Sequence, residues 1–227
     1  MKASSQASIT LPPPASRGVT LRAHCQALVL LELEAIPEGA EGALSPRERQ
    51  LWCGLRERRG RSFLGSRLAL KELARHLDPT GCPADPRHID TLAADGVRPR
   101  CHETGIAVSV AHDARWVIAV AGTQPIGVDV EPIADRALRN MALFLDEQER
   151  ALVGECRETA TRFWTIKEAA AKALDIGLVN AWDRVQVVTS DPSSSSILVN
   201  GARLVAWHEV IEDHLFTVLQ VPINEIR

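Results

Sequence analysis

Two short segments concentrate groups able to handle a metal ion and a phosphate. Gly127-Val128-Asp129-Val130-Glu131 alternates small or aliphatic residues with acids, and Trp164-Thr165-Ile166-Lys167-Glu168-Ala169-Ala170-Ala171-Lys172 sets an acid and a lysine four residues apart. As a strand, the first segment turns Ile126, Val128 and Val130 to one face and Asp129 and Glu131 to the other. As a helix, the second keeps Glu168 and Lys172 on one face, opposite an apolar stripe of Phe163, Ile166, Ala170, Ala173 and Leu174. Packed together, they gather Asp129, Glu131 and Glu168 around a hard divalent cation, with Lys172 beside it for phosphate. Either segment alone is commonplace, since Asp-x-Glu pairs decorate surface strands and Lys-Glu-x-x-x-Lys forms solvated helix faces.

The surrounding sequence predicts the elements that would position these groups. Residues 1–18, rich in Ser, Ala and Pro, read as a flexible tail. Ser45-Pro46-Arg47-Glu48 carries an N-cap, a proline at the first helical position and an acid three residues past the cap, so a helix starts there with Leu51, Trp52 and Leu55 buried. A second helix is expected from about Ser62 to His76, on the stripe Phe63, Leu70, Leu73, Ala74 and Leu77, ending at Asp78-Pro79-Thr80-Gly81. Residues 81–104 read as a long surface loop. Strands follow at 106–110, 115–121 and 126–130, the last two joined by Gly122-Thr123-Gln124-Pro125. Asp146 with Glu149 starts a short helix through Val153, and the helix bearing Trp164 and Glu168 is expected to end at Gly177. Strands return at 184–188, 197–199, 202–207 and 215–221, with Asn200-Gly201 as a hairpin turn and Ser193–Ser196 as a surface loop. Helices followed by strands, twice over, predict an α+β fold.

Composition narrows the classes. With 227 residues, 45% of them hydrophobic, the chain can bury a real core as one larger domain or two small halves. No apolar run is long enough to span a membrane and no signal-peptide pattern opens the sequence, which predicts a cytoplasmic protein with no membrane partner. Five cysteines without a CxxC suit a reducing compartment. Net charge of -3 argues against nucleic acid as a partner. Residues 47–75 nevertheless hold a run of cations that fits a compact polyanion or a solvated helix face. Cys82, His88, Cys101 and His102 match no usual zinc spacing, and Walker, dinucleotide-binding and nucleophile-elbow patterns are missing.

In combination and in order, the two opening segments resemble the 4′-phosphopantetheinyl transferases, in particular the longer, surfactin-synthetase-activating type. Gly-Val-Asp-Val-Glu resembles that family's GxDxE motif, and Trp164, Lys167, Glu168 and Lys172 resemble its WxxKExxxK motif. Ser109-Val110-Ala111-His112, followed by Arg115-Trp116-Val117, resembles the segment around a phosphate-binding histidine, with Ala111 where the family carries serine. Arg58-Arg59-Gly60-Arg61-Ser62-Phe63-Leu64-Gly65 resembles the family's basic helix opening, and Arg98-Pro99 its Lys/Arg-Pro element. The resemblance spans about residues 44–221.

It implies a monomer of two similar α+β halves with the active site between them: residues 19–124 contacting the phosphates of coenzyme A and residues 125–227 carrying the metal site. It further implies Mg²⁺, or Mn²⁺ in its place, held by Asp129, Glu131 and Glu168. His112, Arg61 (with Arg58 as the fallback), Arg98, Lys172 and Lys167 would contact coenzyme A, and Glu168 and Lys172 would act in catalysis. Lys167 sits about 100° around the helix from Glu168, on the shoulder of the apolar stripe. The implied reaction moves the 4′-phosphopantetheine arm of coenzyme A to a serine of an apo acyl, peptidyl or aryl carrier protein and releases adenosine 3′,5′-bisphosphate. Two other readings use the same residues: a noncatalytic module binding coenzyme A or a carrier protein, and an unrelated Mg²⁺ phosphohydrolase.

Overall fold

An apolar run with no polar alternation, Ala27–Glu32, forms strand β1, buried at every position but the last. Such a run lacks a period of two because both of its faces are covered. This computed structural model describes residues 19–96, 98–101 and 105–225; the expected tail at 1–18, parts of the 81–104 loop and His102 lie outside that set.

Helix α1, Pro46–Cys53, starts on the predicted capping box of Ser45 and Glu48. Its buried side differs from expectation. Leu51 and Leu55 are exposed and Trp52 is half-buried, whereas Glu48 is fully buried, because its carboxylate meets the Lys71 ammonium at 2.7 Å. Helix α2, Glu57–Leu77, begins five residues earlier than predicted and takes Arg58 and Arg61 into its first turns. The following loop is more ordered than its composition suggests: Ile89, Thr91 and Leu92 are buried, and Leu92 bridges to Pro99.

Strands β2 (Ala107–His112) and β3 (Trp116–Gly122) join β1 in an antiparallel sheet of order β1-β3-β2. A second antiparallel sheet, of order β4-β8-β7-β6-β5, uses β4 (Ile126–Pro132), β5 (Val185–Ser190), β6 (Ser194–Val199), β7 (Ala202–Ile211) and β8 (His214–Gln220). The serine run is thus a strand and not a loop. It pairs on both edges, and Ser195 points inward to a buried histidine, which satisfies its hydroxyl. The Asn200-Gly201 turn adopts the predicted left-handed conformation, with φ of 51° and 86°.

Between β4 and β5 lie α3 (Asp135–Phe144), α4 (Glu147–Val153), α5 (Arg157–Ala173) and α6 (Leu178–Arg184). Helix α5 ends before Gly177, at a turn where Asp175 has φ of 54°, and Gly177 instead caps α6. Among the described residues no helix is long and apolar enough to cross a membrane.

Strand alternation divides the side chains among three cores. Val29, Leu31, Val117 and Ala119 pack with Leu68 and Leu73 of α2. Phe163, Ile166 and Ala170 of α5 pack on Val187, Ile197 and Leu219. Leu28, Leu30, Ile118 and Val120 meet Val128, Val130, Phe216 and Val218 in a third core between the two sheets.

One construction occurs twice. Glu48 and Glu149 are both the third residue of a capping box, both are buried, and each pairs with a buried lysine of a later long helix, Lys71 or Lys167. Each lysine also donates to carbonyls 15 and 18 residues downstream, of Pro86 and Ile89 or of Trp182 and Val185. Each glutamate then accepts from the backbone N–H two residues beyond, of Thr91 at 3.0 Å or Val187 at 2.8 Å.

Candidate active site

The site begins with a residue that has no side chain. A Cβ placed on Gly127 would lie 1.8 Å from the Ala169 carbonyl oxygen and 2.8 Å from the Ala173 nitrogen, so α5 rests directly on the backbone of β4. Strand alternation then puts Asp129 and Glu131 on the helix-facing side, while Val128 and Val130 enter the core between the sheets.

Asp129 is buried, and one of its oxygens is paired. Lys172 Nζ donates to Asp129 Oδ1 at 2.8 Å and to the Val128 carbonyl at 2.9 Å. Asp129 Oδ2 is buried with no hydrogen-bond partner. Burial pushes the Asp129 carboxyl up, against the pull of Lys172. Burial, and next the Asp129 charge, push Glu131 up to about 7, with Arg136 opposing. Glu168 is raised by burial and then by Asp129. Three acids that each disfavour ionisation, and a bare carboxylate oxygen among them, form an environment that a cation relieves. The donor set is all oxygen and suits a hard divalent ion such as Mg²⁺. Among the described residues no three potential ligands are already drawn together tightly enough to hold a metal, and the Lys172 ammonium takes up one Asp129 oxygen.

A cleft of about 1110 Å³ runs from Glu168 and Lys172 toward the first sheet. Its walls are apolar, with Val108, Val110, Ile126 and Ile176, and it carries the cations Arg67, Arg98, Arg100 and Lys172. Arg98 lines the cleft and is paired with Asp95 at 3.0 Å and Asp175 at 2.6 Å. His112 is exposed at the end of β2. Its crowded surroundings, and then the Lys172 charge, hold it below the usual histidine value, while Asp113 and Asp129 oppose them. The histidine of the first sheet and the Lys172–Asp129 pair of the second thus share one electrostatic field.

Other predicted contacts lie elsewhere. Arg61 is exposed, donates to the Leu33 carbonyl at 3.1 Å and does not line the cleft; Arg58, also exposed, does not line it either. Both stand in the first turns of α2. Lys167 is corrected outright. It is 1% exposed, and its three protons go to Glu149 Oε2 at 2.8 Å, the Trp182 carbonyl at 3.0 Å and the Val185 carbonyl at 2.7 Å, which leaves none for a cofactor.

Sequence reasoning counted Arg67 only among the cations of residues 47–75 and gave it no place in the site. Arg67 lines the cleft at 5% exposure, donates through Nη1 to Thr91, stacks on Phe63 and leaves its Nε unpartnered. The available signal was a cation on the buried stripe of Phe63, Leu70 and Ala74.

This layout can neutralise an extended polyanion along the cleft and bring its phosphates to the carboxylates. Residues 125–219 match the family described as ACPS: 4′-phosphopantetheinyl transferase superfamily. The 4′-phosphopantetheinyl transferase match contains Asp129, Glu131, Glu168 and Lys172 and extends from β4 into β8; His112, Arg67 and Arg98 lie before it. A search of curated proteins found no match.

Proposed function

We propose that this chain is a 4′-phosphopantetheinyl transferase of the longer, two-halved, surfactin-synthetase-activating type, acting as a monomer on coenzyme A and an apo carrier protein with Mg²⁺. The observation that carries the reading is the buried Asp129, inside the segment that matches the family, with one oxygen bare and the other on Lys172, which lines a cleft that carries further cations. The repeated Glu–Lys construction supports the two-halved arrangement.

In this reading the cleft takes coenzyme A with its pyrophosphate toward Lys172 and its other phosphate toward Arg67, Arg98 and Arg100. Asp129, Glu131 and Glu168 would hold the metal, which supplies charge neutralisation on the pyrophosphate oxygens. The carrier serine Oγ forms a bond to the β-phosphorus, and the bond from that phosphorus to the bridging oxygen breaks, releasing adenosine 3′,5′-bisphosphate. Glu168, raised by its surroundings, is the nearest candidate to accept the serine proton, directly or through water. Lys172 balances charge on the leaving group, and His112 contacts a phosphate of coenzyme A.

Intact-mass spectrometry tests this directly. Incubation with coenzyme A, Mg²⁺ and an apo carrier protein adds one phosphopantetheine to the carrier, and a chelator stops the addition. Glu168→Gln stays folded and loses turnover by about two orders of magnitude or more. Coenzyme A binding without a mass shift on several carriers would instead indicate a noncatalytic module, and release of phosphate from simple esters a phosphohydrolase.

A further inference from the structure

We propose that Thr217 and Thr165 are positioning residues, holding Glu168 and Lys172 in register with Asp129 through a closed ring of hydrogen bonds that runs through His208; the proposal rests on the metal and phosphate reading of that site. The contact at Gly127 sets how closely α5 approaches β4 but leaves the helix free to slide along the strand. Thr217 is the direct cross-strand partner of Asp129, and Thr165 lies one helical turn before Glu168. Their hydroxyl oxygens are 2.6 Å apart, and neither side chain is exposed at all.

Every link of the ring is a single short contact. Thr165 Oγ1 lies 3.0 Å from the Arg162 carbonyl and 2.6 Å from Thr217 Oγ1. Thr217 Oγ1 is 2.9 Å from His208 Nδ1. Burial lowers His208 to about 3, so the imidazole is neutral, with one nitrogen donating and the other accepting. Its Nε2 is 2.9 Å from Ser195, which donates to Ser190 at 3.0 Å. Arg162 Nη1 donates to Ser190 at 3.3 Å. The ring starts and ends on Arg162, and loss of any link leaves a buried polar group short of a partner. Nothing in the proposed chemistry uses these groups, yet they form a polar ring beneath the carboxylate-bearing face.

Nitrogen-15 spectra of histidine-labelled protein, together with Mn²⁺ binding by titration calorimetry, test this on wild type, Thr217→Val, Thr165→Val and Thr217→Ser. His208 should appear as a neutral imidazole in a single tautomer between pH 6 and 7. Each valine variant that stays folded should bind Mn²⁺ about 10-fold more weakly, as expected for a group that orients a ligand from behind, and Thr217→Ser should restore binding. A protonated imidazole at that pH, or a mixture of tautomers, would overturn the ring. Valine variants with wild-type Mn²⁺ affinity would overturn the positioning role, and so would loss that serine fails to rescue. A wild-type protein that takes up no Mn²⁺ would sink the metal reading and the positioning role with it, while the imidazole spectrum still decides the ring.

Discussion

At Gly127 the absence of one methyl group lets a helix lie on a strand, and the carboxylate site depends on it. Because the atoms that a Cβ would strike are backbone of α5, no side chain can turn aside to make room. Gly127→Ala should cost about 3 kcal/mol or more and abolish carrier modification, as a shift of the urea midpoint and loss of the mass shift would report. A second prediction concerns His208. Its folded value is depressed to about 3 from the ordinary 6.5, so between those limits the unfolded chain binds a proton that the folded chain does not. Its contribution to stability is therefore complete above about pH 6.5 and is lost as pH falls toward 3, by roughly 1.4 kcal/mol per pH unit. Urea midpoints from pH 7.5 to 4.5 should fall more steeply for wild type than for His208→Gln.

Among the elements, the buried Glu–Lys pairs fasten each capping box to a long helix and to the strand region beyond it. Removing one partner leaves a buried charge alone, so Glu149→Gln and Lys167→Met should each cost about 3–5 kcal/mol, and the double variant much less than the sum. A urea-denaturation double-mutant cycle checks this. These pairs also mark where the sequence stops being legible. Both capping boxes were readable because their signal spans four residues, but the burial of Glu48 was not, because its partner Lys71 lies far along the chain. Likewise, Asp129, Glu131, Glu168 and Lys172 could be picked out from local spacing, whereas Arg67 gains its place in the cleft only from tertiary packing. Strand β1 escaped notice because a strand covered on both faces has no alternation, and the serine strand β6 because the inward partner of Ser195, His208, comes from the next strand.

Across the whole molecule, the two sheets are layers of one body. The face of the first sheet that carries Leu28, Leu30, Ile118 and Val120 packs on the face of the second that carries Val128, Val130, Phe216 and Val218. Polar links stitch the same boundary: Arg115, held by Glu32 of its own layer at 2.8 Å, also pairs with Glu212, and His214 meets Asp113 at 2.7 Å. The cleft draws on both layers, with Val108 and Val110 from one and Ile126, Glu168 and Lys172 from the other. A chain cut in the turn between β3 and β4 should therefore yield pieces that cannot fold separately, since each would expose an apolar sheet face to water. Far-UV circular dichroism of residues 19–123 and 124–227 expressed apart should show little native structure, and co-expression should recover a complex that binds coenzyme A. Two independently folded pieces would mean that the layers merely touch, and the shared core could then not be what holds His112 opposite the Lys172–Asp129 pair.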